Sequence, residues 1–132
     1  MLLLCFFVST AFKTAKQVLF TGEIDGNKIL GAICLYLLLG LIWAVLYTLL
    51  QLEYPDSFQA LQQNSQWFML FPDFVYFSFV TMTTLGFGDI SPTLPVARFL
   101  TYFEAIVGQF YLAILVASLV GSRMSKFSSN QQ

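Results

Sequence analysis

The chain has 132 residues, enough for one domain. Of these, 58% are hydrophobic and 10% charged, against about one quarter charged in a soluble domain, so it is composed for lipid. A net charge of −1 gives no basis for a nucleic-acid partner. The absence of histidine excludes histidine acid–base catalysis and histidine metal ligation. No nucleophile–base pair or metal cluster stands out either, so an enzyme is not expected. Cys5 and Cys34 both lie in apolar segments and read as small buried hydrophobes, not as a disulfide.

Met1 to Phe12 is apolar, without a preceding positive charge or a small-residue cleavage site, and is a poor signal peptide. About 12 residues cannot span a bilayer, which needs about 20. Two readings stay open: an interfacial helix with Lys13, Lys16 and Gln17 on its wet side, or the end of a longer helix. The first is favoured, and residues 1–28 read as this helix and a linker.

Ile29 to Leu52 is an uncharged run of about 24 residues, roughly 36 Å of helix, and reads as a membrane span. Gly26-Asn27-Lys28 marks its start and Glu53-Tyr54-Pro55-Asp56 its stop. Gly31, Gly40 and Ala44 suit close helix packing. Tyr54 and Trp67 are expected at the outer interface. Ser57 to Gln66, polar and glutamine-rich, reads as an exposed loop.

Phe71 to Thr84 has the composition of a strand, yet a lone strand among membrane helices leaves its backbone unpaired in lipid. Pro72 followed by Asp73 is a helix start, and Asp73 to Thr83 would measure about 16 Å. That is half a membrane, a re-entrant helix. In Thr83-Thr84-Leu85-Gly86-Phe87-Gly88-Asp89, Gly86 and Gly88 accept φ > 0 at little cost. Such a backbone can point successive carbonyls one way. Four such strands around one axis would stack rings of oxygens able to replace a cation's hydration. Pro92 and Pro95 interrupt the chain before a second span, Phe99 to Val120, followed by Gly121, Arg123 and Lys126. Residues 127–132 form a polar tail, and no internal repeat is visible.

Charge sets the orientation. Lys13, Lys16, Lys28, Arg123 and Lys126 fall on one side, offset by Glu23 and Asp25. Glu53, Asp56, Asp73 and Asp89 fall on the other, against Arg98 alone. The positive-inside rule then puts both termini in the cytoplasm, and an acidic outer mouth concentrates cations.

From Ile29 to roughly Lys126 the arrangement resembles the pore domain of the potassium-channel family, in its bacterial two-transmembrane style. Thr84-Leu85-Gly86-Phe87-Gly88 fills the family's Thr-Val-Gly-Tyr-Gly pattern, with Leu for Val and Phe for Tyr. Asp89 follows as in the family, and Gly108 stands where the inner-helix hinge glycine belongs. The resemblance implies an all-α membrane protein: outer helix, re-entrant pore helix with selectivity filter, and inner helix, assembled as a homotetramer in the lipid bilayer. It implies passive, selective potassium conduction with potassium as permeant ligand and no cofactor. It also implies a multi-pass protein of the plasma membrane, the inner membrane if the source is bacterial.

Residue by residue, the backbone carbonyls of Thr84, Leu85, Gly86 and Phe87, with the Thr84 hydroxyl, would form potassium sites, and Gly88 would add to the outer mouth. Phe87 lacks the hydroxyl with which the family's tyrosine braces the filter. Support would come from Tyr76, placed to bond Asp89, while Val80 stands where some bacterial channels keep a glutamate. Glu104 would partly substitute for that acid. An acid within a span costs on the order of 3 kcal/mol unless satisfied, and Ser78, Thr81 or pore-helix backbone are its expected partners. The alternatives are a snorkelling or a simply protonated acid. Gly108 is a candidate bending point. Gln109, Leu112, Val116 and Val120 recur at helical spacing and would line the cavity, with Val120 and Met124 as a hydrophobic gate; the competing reading makes them lipid-facing or packing residues. Two functional alternatives stay open: a non-selective cation channel, and a non-conducting regulatory membrane subunit.

Overall fold

The computed structural model describes residues 2–20, 26–59 and 67–129, with side chains described at 4–13, 29–59 and 67–121. The elements run α1 (Leu2–Phe20), α2 (Gly26–Glu53), β1 (Phe58–Gln59), α3 (Trp67–Met82), β2 (Ser91–Pro92) and α4 (Pro95–Ser129). The architecture is all-α. Two helices are long and apolar enough to cross a membrane, over Ile29–Glu53 and Pro95–Gly121, and the shorter α3 lies between them.

Apolar side chains recur on one face of α3, and this face makes the core. Leu70, Phe74 and Phe77 pack on Trp43, Ala44 and Tyr47 of α2, with Phe58 of β1 and Ala97 of α4 closing the cluster. Tyr47, Phe58, Phe74 and Phe77 form a four-ring knot. Its edge-to-face pairs include Phe58–Phe74 at 4.9 Å and Tyr47–Phe77 at 5.3 Å between centroids. Each such pair is worth about 0.5–1.5 kcal/mol beyond the area it buries. The knot anchors the half-length helix to the outer helix.

A polar strap holds the carboxyl end of α2. β1 and β2 pair antiparallel, Phe58 opposite Pro92 and Gln59 opposite Ser91. The Thr93 amide extends the pairing to the Ser57 carbonyl at 2.9 Å, and the Thr93 hydroxyl donates to the Asp56 carbonyl. Gln51, buried at the end of α2, donates to the Pro55 carbonyl at 2.5 Å and accepts from the Phe58 amide at 3.1 Å. The strap thus joins the segment after α3 to the end of α2.

Several boundaries differ from the sequence expectation. α3 starts at Trp67, so Pro72 lies inside it. Burial of Leu70 pulls the helix outward by more than a turn, although proline cannot bond the Phe68 carbonyl. The helix is then about 24 Å long, still short of the roughly 30 Å hydrocarbon core. α4 starts at Pro95, whose fixed φ suits the first helical position, with the Arg98 amide donating to the Leu94 carbonyl at 2.9 Å. It continues to Ser129, through part of the expected polar tail. α1 reaches Phe20 rather than Phe12 and packs along α2. Ser57 and Phe58, expected in an exposed loop, are buried by the strap; residues 60–66 lie outside the described residues. Cys5 and Cys34 are exposed and unpaired, on helix faces that this single chain leaves uncovered. The side chains of Lys16, Glu23, Asp25, Lys28, Arg123 and Lys126, on which the inner-side charge balance rests, also lie outside those described.

Candidate functional site

α3 ends in a two-bond cap. The Thr84 amide donates to the Thr81 carbonyl at 3.0 Å and the Leu85 amide to the Val80 carbonyl at 2.9 Å. These are the two bonds that close a helix when the residue after the C-cap turns left-handed. Thr84 is that residue, with φ 58°. Glycine or asparagine is the usual occupant, and a β-branched residue held there stores on the order of 1–2 kcal/mol. The Gly86 amide also reaches the Val80 carbonyl, at 3.3 Å, and the Thr84 hydroxyl donates to the Thr83 carbonyl at 2.7 Å.

Beyond the cap, handedness alternates. Thr84, Gly86 and Gly88 have φ of 58°, 58° and 76°, while Leu85 and Phe87 between them keep negative φ. A backbone that alternates in this way turns successive carbonyls to one side, as a column of oxygen ligands requires. A Cβ on Gly86 or Gly88 would meet nothing within 4 Å in the single chain. Dihedral preference, not space, reserves both positions for glycine.

Around this segment, Tyr76 of α3 stacks its ring on Phe87 at 6.5 Å and 7°, and its hydroxyl bonds Asp89. That bond raises the Tyr76 hydroxyl above its ordinary titration range. Val80 takes part through its backbone: the side chain is buried, and its carbonyl receives the Leu85 and Gly86 amides.

Glu104 is fully buried. Tyr47 donates to its Oε2 at 2.5 Å, and Ser78 Oγ lies 2.5 Å from its Oε1. The same Ser78 Oγ lies 2.9 Å from the Gly40 carbonyl. One turn further along α4, a Cβ on Gly108 would stand 3.0 Å from the Met82 carbonyl and 3.2 Å from Met82 Cα. Gly108 is thus the point where α4 crosses the end of α3, and α4 runs on as helix beyond it. Gly40 has the matching role on α2, where a Cβ would reach the Phe79 ring at 2.7 Å.

The lower part of α4 is open in a single chain. Gln109, Val116 and Val120 are exposed and Leu112 is half-buried. Gln109 lines a shallow, mostly apolar groove with Ala105, Ile106, Phe110 and Ala113. The Met124 side chain lies outside those described. Above this face, the Tyr111 hydroxyl donates to the Ala32 carbonyl at 2.6 Å and ties α4 to α2.

The structure therefore gathers Thr84–Asp89, Tyr76, Val80, Glu104 and Gly108 around the end of α3, and leaves Val116 and Val120 well removed along α4. Sequence reasoning missed two participants. Tyr47 carries no signal beyond being a hydroxyl on the same α2 face as Gly40 and Ala44. The left-handed Thr84 is hidden because threonine does not advertise that conformation.

Comparison with known proteins bears on the family of the chain. The model of a family described as ion channel matches residues 31–125. The chain is 40% identical over 48 residues to a protein named two-pore potassium channel 2 of Arabidopsis thaliana, covering 36% of this chain and 11% of that one. It is 33% identical over 72 residues to two-pore potassium channel 4 of the same plant, covering 54% and 24%. A two pore potassium channel c of Oryza sativa subsp. japonica is 35% identical over 48 residues, covering 36% and 10%. The chain thus spans at most about a quarter of the length of these relatives. With a family match over most of its length, the chain belongs to this ion-channel family, and two of its helices are long and apolar enough to cross a membrane.

Proposed function

We propose that the chain is one subunit of a potassium-selective channel whose pore is closed by four copies. The observation that carries this reading is the alternation of positive and negative φ through Thr84–Gly88, directly after a capped helix of less than membrane length. One chain supplies one column of oxygens, and a cage around a dehydrated ion needs several columns. In that assembly the carbonyls of Thr84, Leu85, Gly86 and Phe87 and the Thr84 hydroxyl take over potassium's hydration shell. Sodium fits such a cage less well, and repulsion between neighbouring ions keeps the row moving. The carboxyl end of α3 directs its partial negative charge toward the cavity below. The exposed acids Glu53, Asp56, Asp73 and Asp89 at the other end raise the local cation concentration. Val116 and Val120, exposed on α4 in the single chain, line the inner half of the pore and narrow it.

The charge distribution supports both termini in the cytoplasm and the Thr84–Gly88 segment at the outer face of a plasma membrane. Purified protein in liposomes, loaded with potassium or sodium and controlled with barium block, tests the reading. Potassium flux well above sodium flux is expected. Equal fluxes would replace it with a non-selective cation pore, and an assembled tetramer without flux would replace it with a non-conducting subunit.

A further inference from the structure

Glu104 is a buried acid whose hydroxyl neighbours have one proton too few to satisfy an ionised carboxylate. Ser78 has one hydroxyl proton, yet its Oγ faces two acceptors, Glu104 Oε1 at 2.5 Å and the Gly40 carbonyl at 2.9 Å. A carboxylate would leave these two oxygens competing for that proton. A carboxylic acid resolves the count. Its own O–H at Oε1 donates to Ser78 Oγ, Ser78 donates to Gly40, and Oε2 as carbonyl accepts from Tyr47 at 2.5 Å. Among the described residues no cation offsets a charge there. Arg98, the base on α4 with a described side chain, is exposed and donates to the Pro92 carbonyl at 3.3 Å. The groups bonded to Glu104 are hydroxyls, Tyr47 from α2 and Ser78 from α3. An unpaired charge in such a site is far costlier than a neutral, fully bonded acid.

We propose that Glu104 is a neutral carboxylic acid that positions α3, donating through Ser78 to Gly40 and accepting from Tyr47, so that one side chain clamps α2, α3 and α4 together. Glu104 and Gly108 are one turn apart on α4, as are Ser78 and Met82 on α3. The two contacts therefore form a two-point seat for the last turn of α3. That turn contains Val80, whose carbonyl holds the amides of Leu85 and Gly86. Displacement of α4 is thereby transmitted to the start of the Thr84–Gly88 segment. The effect on ion selection rests on the potassium-pore reading above; the protonation state and the clamp do not.

Infrared difference spectra of the assembled full-length protein in lipid test this. The wild-type protein should carry the carbonyl band of a neutral carboxylic acid that is lost in Glu104→Gln. In Tyr47→Phe the band should persist but move to higher frequency, because Oε2 loses its donor. In bilayer recordings Glu104→Gln should behave as wild type, since its amide N–H replaces the acid O–H toward Ser78, whereas Glu104→Ala should speed current decay about tenfold. No band lost in Glu104→Gln, or a band unmoved by Tyr47→Phe, would overturn the proposal. So would Glu104→Gln channels as impaired as Glu104→Ala. If Glu104→Ala does not assemble, Ser78→Ala is read in its place, with faster decay expected and an unchanged decay counting against the clamp. The spectra are read whether or not the protein passes potassium, so a failure of the potassium reading and a failure of this proposal are separate results.

Discussion

The amide of Leu85 donates to the carbonyl of Val80 at 2.9 Å, so the bond that finishes α3 is also the first bond of the segment that follows. Helix end and extended segment are one unit. Any contact that seats the last turn of α3 therefore also seats Thr84–Gly88.

Replacing Gly86 or Gly88 by alanine is expected to abolish potassium selectivity, at a cost on the order of 1–2 kcal/mol per site for a left-handed residue. Space does not forbid the methyl group in the single chain, because nothing lies within 4 Å of either Cβ position. d-Alanine at the same positions, which prefers positive φ, should retain selectivity. Reversal potentials in mixed potassium and sodium distinguish the two; an l-alanine channel with normal selectivity would refute the dihedral argument.

Thr84 holds a conformation that glycine adopts freely, with φ 58°. Thr84→Gly should therefore raise the thermal stability of the assembled protein in potassium-free detergent by about 1 kcal/mol, while losing the hydroxyl oxygen and weakening potassium protection against heating. Melting curves with and without potassium read both effects. Lower stability without potassium would contradict the strain at Thr84.

Gly108 and Gly121 lie on the same helix but should respond differently. A methyl group at Gly108 meets backbone at 3.0 Å, and at Gly121 it meets nothing within 4 Å in the single chain. Gly108→Ala is expected to destabilise by about 1–3 kcal/mol and to disturb ion selection by pushing on Met82. Gly121→Ala should stay within about 0.5 kcal/mol of wild type. If Gly108 acts only as a bending point, Gly108→Ala would change opening without changing selectivity.

Tyr76 gives a pH dependence of defined sign. Its bond to Asp89 raises its titration, so its contribution is fully present below the ordinary tyrosine value of about 10 and is lost as pH rises through the raised value. Tyr76→Phe should speed current decay at low external potassium at neutral pH, and should remove any alkaline step seen in the wild type. Recordings between neutral and strongly alkaline external pH, compared for the two proteins, check this.

The chain order of long, short and long apolar helices is legible from hydropathy and charge, because lipid admits helices and closed barrels only. The glycine spacing at Gly86 and Gly88 likewise announces where the backbone must leave ordinary dihedrals. Boundaries are less legible. Pro72 looks like a helix start because local preference favours it there, but burial of Leu70 against α2 carries α3 outward past it. Ser57 and Phe58 look like loop because the groups that hold and bury them, Thr93 and the rings of Phe74 and Phe77, are distant in sequence.

What the amino-acid sequence determines by itself is therefore local and solvent-driven. It dictates two spans, one half-length helix, a glycine-marked segment after it, and an acid in a span that needs partners. Tertiary structure alone decided who those partners are. Ser78 and Tyr47 stand 26 and 57 residues from Glu104, and no local pattern encodes a contact closed by helix packing. It also decided that Thr84 turns left-handed and that Gly108 marks a close approach. In both places the packed end of α3 overrides what each residue would choose alone.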